Sequence, residues 1–329
     1  MQLGGKHLTA QLRFPLRTPE QSIVWHLVCA SKECMRLTAA LCPSGPPRTP
    51  AHYAPSSPMP QTNQVPMVHP VSTASLELNT GARIPQVGLG VWQAHSGKIT
   101  RSAVAEALQV GYRHVDTARI YGNEADVGAA IRDSGLSRSE VFVTTKLWNA
   151  DQGYDRARAA FDASLKRLGL DYVDLYLLHW PVPGQRLESW RALEGLFKEK
   201  RARAIGVSNF LVPHLQELTQ ACEVVPAVNQ IELTPFLQRR ETVALCKRLG
   251  IVVEAYSPLT HGKRLSDPAV IAIAEATNRS PAQVMLRWGI QRWTVVLPKS
   301  VTPARIIENA SLFDFELDAK AMARLDALE

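Results

Sequence analysis

Residues 73–329 of this 329-residue chain are predicted to form one α/β domain, a (β/α)8 barrel of the TIM type preceded by a β-hairpin. Three features predict it. Short apolar runs alternate with amphipathic helical stretches, which is the pattern of parallel strands joined by crossover helices. There are eight such runs, the number that a closed barrel requires, and the length of the region also fits.

The hairpin is predicted by two short strand-like pieces in LELNTGARIP (76–85), on either side of Asn79-Thr80-Gly81. Helical patterns, with apolar residues at three- and four-residue spacing, cover 100–111, 154–169 and 187–200. The eight strand-like runs are 86–92, 112–118, 141–147, 173–179, 204–210, 227–233, 251–257 and 294–300.

A doubly wound sheet is the second fold that this alternation allows. That fold places G-x-G-x-x-G at its first strand–helix turn. Here Gly88 and Gly90 are present, but Gln93 occupies the third glycine position. The barrel is therefore the preferred prediction.

Residues 1–72 form a low-complexity extension rich in Pro and Ser, which we expect to be disordered because it cannot bury enough apolar surface. Three interpretations stay open. The segment is a dispensable tail, with Met59 or Met67 as the true start; it is an organelle transit peptide, since it contains Arg and few acids; or it is a regulatory arm.

Composition excludes several classes of protein. The net charge of +7 is modest, and the sequence contains no basic stripe with interleaved aromatic residues, so no nucleic-acid partner is expected. No apolar run reaches the roughly 18 residues of a membrane span. The five cysteines form no CxxC pair, which argues against a disulfide framework and a metal site. We expect a cytoplasmic monomer.

The polar residues that end the strands are the first candidates for a site, because functional groups of such barrels lie at the carboxyl ends of the strands. Any one of them is weak evidence, since a strand that meets a loop often ends in a polar residue. All eight facing one mouth is a stronger signal. In chain order they are Trp92, Asp116, Lys146, His179, Ser208 with Asn209, Gln230, Tyr256, and Lys299 with Ser300.

Four residues suggest a proton donor for a carbonyl that becomes an alcohol. Tyr121 follows Asp116 by five residues, and a nearby ammonium such as Lys146 would favour its phenolate and lower its pKa. Asp116 would hold that ammonium, and His179 would donate a hydrogen bond to the substrate oxygen. The structural alternatives are an ion pair in the barrel mouth for Asp116 and Lys146, a core histidine for His179 and a loop residue for Tyr121.

The other strand ends suggest a ligand. Ser208, Asn209 and Gln230 suit a carboxamide, and Tyr256 offers a ring for stacking. Lys299, Ser300 and Arg305 surround a predicted helix start at Pro303, where a phosphate would bind well. The alternative for this last group is ordinary helix capping with surface charges.

Eight sequence blocks follow one another from about residue 75 onward: GLGVW, HVDTARIYGNE, TTKLW, LLHWP, GVSNF, NQIEL, AYSPL and LPKSVTPARIIEN. In these blocks, and in their order, the chain resembles the aldo-keto reductases, which are NADPH-dependent (β/α)8 barrels. Each block alone is weak, but together they cover the whole domain.

The resemblance implies a role for each matched residue. The catalytic set would be Asp116, Tyr121, Lys146 and His179, with Tyr121 as proton donor. The substrate pocket would include Trp92, Trp180 and His179. Lys299, Ser300 and Arg305 would take the 2′-phosphate of NADPH, which favours NADPH over NADH, and Glu308 and Asn309 would take the adenine. The remaining cofactor-binding residues would be Ser208, Asn209, Gln230, Tyr256, Ser257 and Leu259.

The chain differs from longer members in its loops. Only WPVPGQR separates His179 from the helix near Leu187, and the connection 259–268 is also short. The chain ends 20 residues after Asn309. These features resemble short-loop bacterial members and imply an open pocket.

The leading hypothesis is thus an NADPH-dependent reductase of aldehydes, 2-oxo-aldehydes or ketones, acting on a small-molecule carbonyl partner. A short-chain-type dehydrogenase is disfavoured because no tyrosine has a lysine four residues later. A cofactor-binding regulatory barrel with little turnover is the alternative from another class.

Overall fold

The computed structural model describes residues 74–329, and the extension predicted to be disordered lies outside them. The strands in this range are β1 Ser75–Glu77, β2 Arg83–Pro85, β3 Leu89–Gly90, β4 His114–Asp116, β5 Phe142–Leu147, β6 Val173–Leu178, β7 Ala202–Ser208, β8 Val228–Glu232, β9 Val252–Tyr256 and β10 Val295–Leu297. The helices are α1 Lys98–Val110, α2 Glu124–Asp133, α3 Tyr154–Leu168, α4 Arg186–Lys198, α5 Val212–Ala221, α6 Arg240–Arg248, α7 Pro268–Thr277, α8 Pro281–Gln291, α9 Pro303–Ala310 and α10 Ala319–Asp326.

The predicted barrel is confirmed. Strands β3 to β10 form one parallel sheet in chain order. Parallel bridges between Val87 and Val296 and between Gly90 and Lys299 join its first strand to its last. The predicted strands start or end a few residues beyond the observed ones, most of all in the first run, where only Leu89–Gly90 is regular strand. Periodicity marks the apolar run, whereas the ladder of hydrogen bonds ends where the chain turns toward a helix.

The predicted hairpin is also confirmed, since β1 and β2 pair antiparallel around a turn at Gly81. Leu78 and Ile84 are buried, and they join an apolar cluster that includes Phe142 and Val228, which lie at the starts of their strands. The hairpin therefore closes the amino-terminal end of the barrel with apolar side chains.

Side chains alternate between the two faces of each strand. Along β9, for example, Val253 and Ala255 pack in the large apolar cluster shared with the helices, while Glu254 belongs to the opposite, inner face. The inner face needs small residues where strands crowd. A Cβ on Gly88 would lie 2.7 Å from Nδ1 of His114, so glycine makes room for the buried imidazole.

None of the helices in residues 74–329 is long and apolar enough to cross a membrane. Within the same range, no group of three or more His, Cys, Asp or Glu side chains is arranged to hold a metal ion.

Candidate active site

The carboxyl ends of the strands surround a cleft of about 1050 Å³. This volume is at the upper end of the range for small-molecule sites, so the cleft has room for a large ligand. Every residue singled out from the sequence as a site candidate lines it, except Lys146, which lies beneath its floor.

Lys146 is fully buried in β5, and its ammonium has three partners. Nζ donates to Oδ1 of Asp116 at 2.6 Å, to the carbonyl oxygen of Thr117 at 3.0 Å and to the hydroxyl of Tyr121 at 3.3 Å. Burial alone would lower the pKa of Lys146, but the charges of Asp116 and Tyr121 act the other way, so the pKa lies above its usual value. Lys146 is therefore a stable cation that links the carboxylate to the phenol.

The Tyr121 hydroxyl reaches Lys146 from a short 3-10 turn, Arg119–Tyr121, that follows β4. Burial raises the pKa of Tyr121 and Lys146 lowers it, as expected from the sequence; Asp116 raises it again. Burial is the largest of these effects, and the pKa stays above its usual value. The phenol therefore keeps its proton at neutral pH in the free protein.

His179 follows β6 directly and faces Tyr121, with ring centroids 5.9 Å apart at 76°. Trp148 packs on the same imidazole at 5.3 Å. Burial, and then the nearby Lys146, lower the pKa of His179 to about 3. The imidazole is therefore neutral and can donate one N–H hydrogen bond without carrying charge.

Amide groups form the second part of the cleft. Asn209 has a left-handed backbone with φ 63°. Its Nδ2 donates to the carbonyl oxygen of His179 at 3.0 Å, and its Oδ1 accepts from the hydroxyl of Tyr256 at 2.9 Å. Nε2 of Gln230 donates to Oδ2 of Asp116 at 2.9 Å and to Oε2 of Glu254 at 2.6 Å. Both N–H groups of Gln230 are used, so its carbonyl oxygen is the free acceptor.

The far end of the cleft lies at the start of α9. Lys299 and Arg305 line it, and neither belongs to an ion pair found within residues 74–329. Oγ of Ser300 accepts from the backbone N–H of Thr302 at 3.1 Å. This contact closes a turn just before the helix, and the N-cap residue Thr302 makes no side-chain capping bond among the described residues, so the ordinary helix capping that the sequence left open is not formed. The two cations are still available to an anion beside a helix N-terminus.

Sequence considerations missed several lining residues, including Ile120, Trp148 and His261. Trp148 follows the third strand-like run directly, and Ile120 precedes Tyr121, so their positions near strand ends were a usable signal. His261 gave no such signal. It lies in a loop where Ser257, Thr260 and His261 all have positive φ, and its ring meets Trp92 at 5.6 Å.

A family model described as "Aldo/keto reductase family" matches residues 86–329. The chain therefore belongs to the aldo/keto reductases, a family of oxidoreductases, as its sequence motifs predicted.

Among named relatives, morphine 6-dehydrogenase of Pseudomonas putida is 52% identical over 269 residues, covering 77% of this chain and 90% of that protein. Glyoxal reductase of Bacillus subtilis is 49% identical over 254 residues, covering 77% and 92%. Among solved structures, the aldo-keto reductase of Bombyx mori in complex with NADP is 37% identical, with a TM-score of 0.73, and covers 78% of this chain and 92% of its own.

Proposed function

We propose that this protein is an NADPH-dependent reductase that converts small aldehydes, 2-oxo-aldehydes or ketones to alcohols, with Tyr121 as the proton donor. One observation carries the proposal: the buried ammonium of Lys146 joins Asp116 at 2.6 Å to the Tyr121 hydroxyl at 3.3 Å, next to a neutral His179. This arrangement is a proton donor with a fixed counter-charge behind it.

The residues of the cleft fit a nicotinamide dinucleotide. The free carbonyl oxygen of Gln230 suits the N–H groups of a carboxamide, and Ser208 and Asn209 lie beside it. The ring of Tyr256 borders the same part of the cleft and suits stacking, next to Ser257 and Leu259. At the other end, Lys299, Ser300 and Arg305 suit the 2′-phosphate, and Glu308 and Asn309 the adenine. The NADP complex of the Bombyx mori relative supports this cofactor.

When bound, NADPH supplies the hydride for the carbonyl carbon. Side chains of the protein act on the carbonyl oxygen of the substrate. His179 holds it with a neutral N–H, and Tyr121 transfers the phenolic proton to it as negative charge develops. Lys146 then stabilises the phenolate that Tyr121 leaves behind, and Asp116 keeps the ammonium in place. Positioned proton transfer and preorganised charge are each large contributions to catalysis.

The substrate end of the cleft favours uncharged carbonyl compounds. It is lined by the apolar or aromatic side chains Trp92, Ile120, Trp148 and Trp180, around His179. Of the charged residues that line the cleft, Asp116 is paired with Lys146. The others lie at the opposite end and are Lys299, Arg305 and Glu308. A carboxylate on the substrate would therefore lose water without gaining a partner. The names of the relatives, a glyoxal reductase and a morphine 6-dehydrogenase, support carbonyl and alcohol chemistry on small molecules.

The test is oxidation of NADPH, followed by its absorbance at about neutral pH, with benzaldehyde, methylglyoxal and 4-carboxybenzaldehyde. We expect turnover of the first two, with kcat/KM at least about tenfold lower for the carboxylated compound. Tight NADPH binding without turnover of any aldehyde would contradict the proposal and favour the regulatory barrel. The cytoplasmic location and the monomeric state remain predictions.

A further inference from the structure

A second polar group lies inside the barrel, beneath the catalytic residues. It consists of His114 on β4, Thr144 on β5, Gln230 on β8 and Glu254 on β9, all buried. We call these four residues the inner polar cluster. Above it lie Asp116 and Lys146. Among the described residues, the only side-chain hydrogen bond from the cluster to this pair is donated by Nε2 of Gln230 to Asp116, at 2.9 Å. The proposed chemistry does not use Glu254 directly.

Only one of the two carboxyl oxygens of Glu254 has a hydrogen-bond partner among residues 74–329. Oε2 accepts from Nε2 of Gln230 at 2.6 Å. Oε1 is buried without a hydrogen-bond partner among residues 74–329, and its nearest basic atom is Nε2 of His114 at 3.6 Å. That nitrogen lies 3.0 Å from Oγ1 of Thr144. A buried carboxylate oxygen without a partner would be costly, whereas a carboxylic acid can point its O–H toward the imidazole nitrogen.

The charges around Glu254 favour its neutral form. His114 cannot balance an anion, because burial lowers its pKa to about 3. Lys146 is already paired with Asp116 at 2.6 Å. The neighbours of Glu254 in the sheet register are Gln230 and the apolar Val295, so no other cation faces it from those strands. Burial and then Asp116 raise the pKa of Glu254 to about 8, and the Gln230 hydrogen bond and Lys146 oppose this only in part.

We propose that Glu254 is a positioning residue for the reduction: as a neutral acid it orients the Gln230 amide and leaves Asp116 as the only anion beside Lys146. This inference rests on the proposed function. By accepting one N–H of Gln230, Glu254 leaves the other N–H for Asp116 and the carbonyl oxygen for the cofactor carboxamide.

The neutral state of Glu254 matters for the proton donor. When Glu254 ionises, a second negative charge faces Lys146, and this charge raises the pKa of Tyr121. Because the phenolate becomes harder to form, proton transfer to the carbonyl oxygen slows. The reduction should therefore lose rate as pH rises through the pKa of Glu254.

Two substitutions separate the two parts of the proposal. Glu254→Gln keeps an oxygen for Gln230 but cannot ionise, and Glu254→Leu removes the acceptor. Glu124→Gln is the matched control, because Glu124 is also buried but pairs with Arg167 and Thr145 between helices and the outer side of the barrel.

We expect Glu254→Gln to match the wild-type kcat and KM for NADPH at pH 6.5 within about twofold, and to lose the wild-type decline in kcat between pH 7 and 9. That decline should be about three- to tenfold, the effect of up to one pKa unit at Tyr121.

Glu254→Leu should raise KM for NADPH at least about fivefold, since a buried N–H loses its acceptor. The control should keep the wild-type pH profile. An unchanged alkaline decline in Glu254→Gln, or a wild-type KM in Glu254→Leu, would overturn the proposal.

A measurement without turnover keeps this test separate from the proposed function. A carboxyl group whose pKa is raised on folding binds more protons in the folded state than in the unfolded state, between its unfolded pKa near 4.5 and about 8. The contribution of Glu254 to wild-type stability then falls as pH rises across that window, whereas the amide of the Glu254→Gln variant adds no such slope. The urea midpoint of Glu254→Gln should therefore rise relative to wild type from pH 5 to pH 8. A constant difference would overturn the proposal even if the wild-type enzyme reduces no aldehyde.

Discussion

The two ends of the barrel are built from opposite kinds of residue. At the amino-terminal end, the hairpin places Leu78 and Ile84 against apolar strand starts, and these side chains are buried. At the carboxyl-terminal end, Asp116 and Lys146 form a buried ion pair under an open cleft. Buried apolar packing stabilises a fold, whereas a buried ion pair often adds little stability. One end therefore serves mainly to stabilise the fold, and the other holds the residues of the proposed chemistry.

The largest expected effect is at the polar end. Tyr121→Phe removes the proposed proton donor but keeps the ring that packs beside His179. Turnover of benzaldehyde should fall by about 10²- to 10⁴-fold, the usual contribution of a positioned acid. NADPH affinity, measured by quenching of tryptophan fluorescence, should change little. Unchanged turnover would remove Tyr121 from the proposed role.

A substitution at the apolar end should change the stability of the protein rather than its turnover. Ile84→Ala truncates a fully buried hairpin side chain and should lower the free energy of unfolding by about 2–5 kcal/mol, through lost burial and a cavity. Urea denaturation measures this loss, and kcat per folded molecule should stay at the wild-type value. Leu76→Ala is the matched control, because Leu76 is only partly buried in the same hairpin and should cost less. A large fall in kcat for Ile84→Ala would contradict the division of the barrel into an end that stabilises the fold and an end that holds the proposed site.

The smallest expected effect concerns cofactor choice at the edge of the polar end. Arg305→Ala should weaken NADPH binding by about 10- to 100-fold, the loss of one charge-assisted phosphate contact, and leave NADH binding nearly unchanged. Dissociation constants for both cofactors test this. Arg324→Ala, on the exposed face of α10, serves as the control. Equal losses for the two cofactors would mean that the 2′-phosphate binds elsewhere.

Much of the site could be predicted because parallel strands end at one edge. Once the sequence predicted eight alternating units, Asp116, His179 and Gln230 had to lie around one mouth, and the structure has them there. The net pKa of Tyr121 could not be predicted in the same way. The sequence indicated a lowering by Lys146, but the larger effect is burial, which depends on how far the turn at Arg119–Tyr121 sinks into the mouth.

Glu254 marks the limit of the sequence most clearly. In IVVEAYS it is the one charged residue of an apolar run. The alternation of the strand places Glu254 on one face of the sheet, but it does not say which residues of other strands contact that face. The sequence by itself determined the alternation of strands and helices, the family motifs and the polar strand ends, because these depend on local spacing. The pairing of β8 with β9 brings Glu254 to 2.6 Å from Gln230, and the closed barrel places it 3.6 Å from His114 on the distant strand β4. Burial and these tertiary contacts set the protonation state of Glu254, and neither can be read from local spacing.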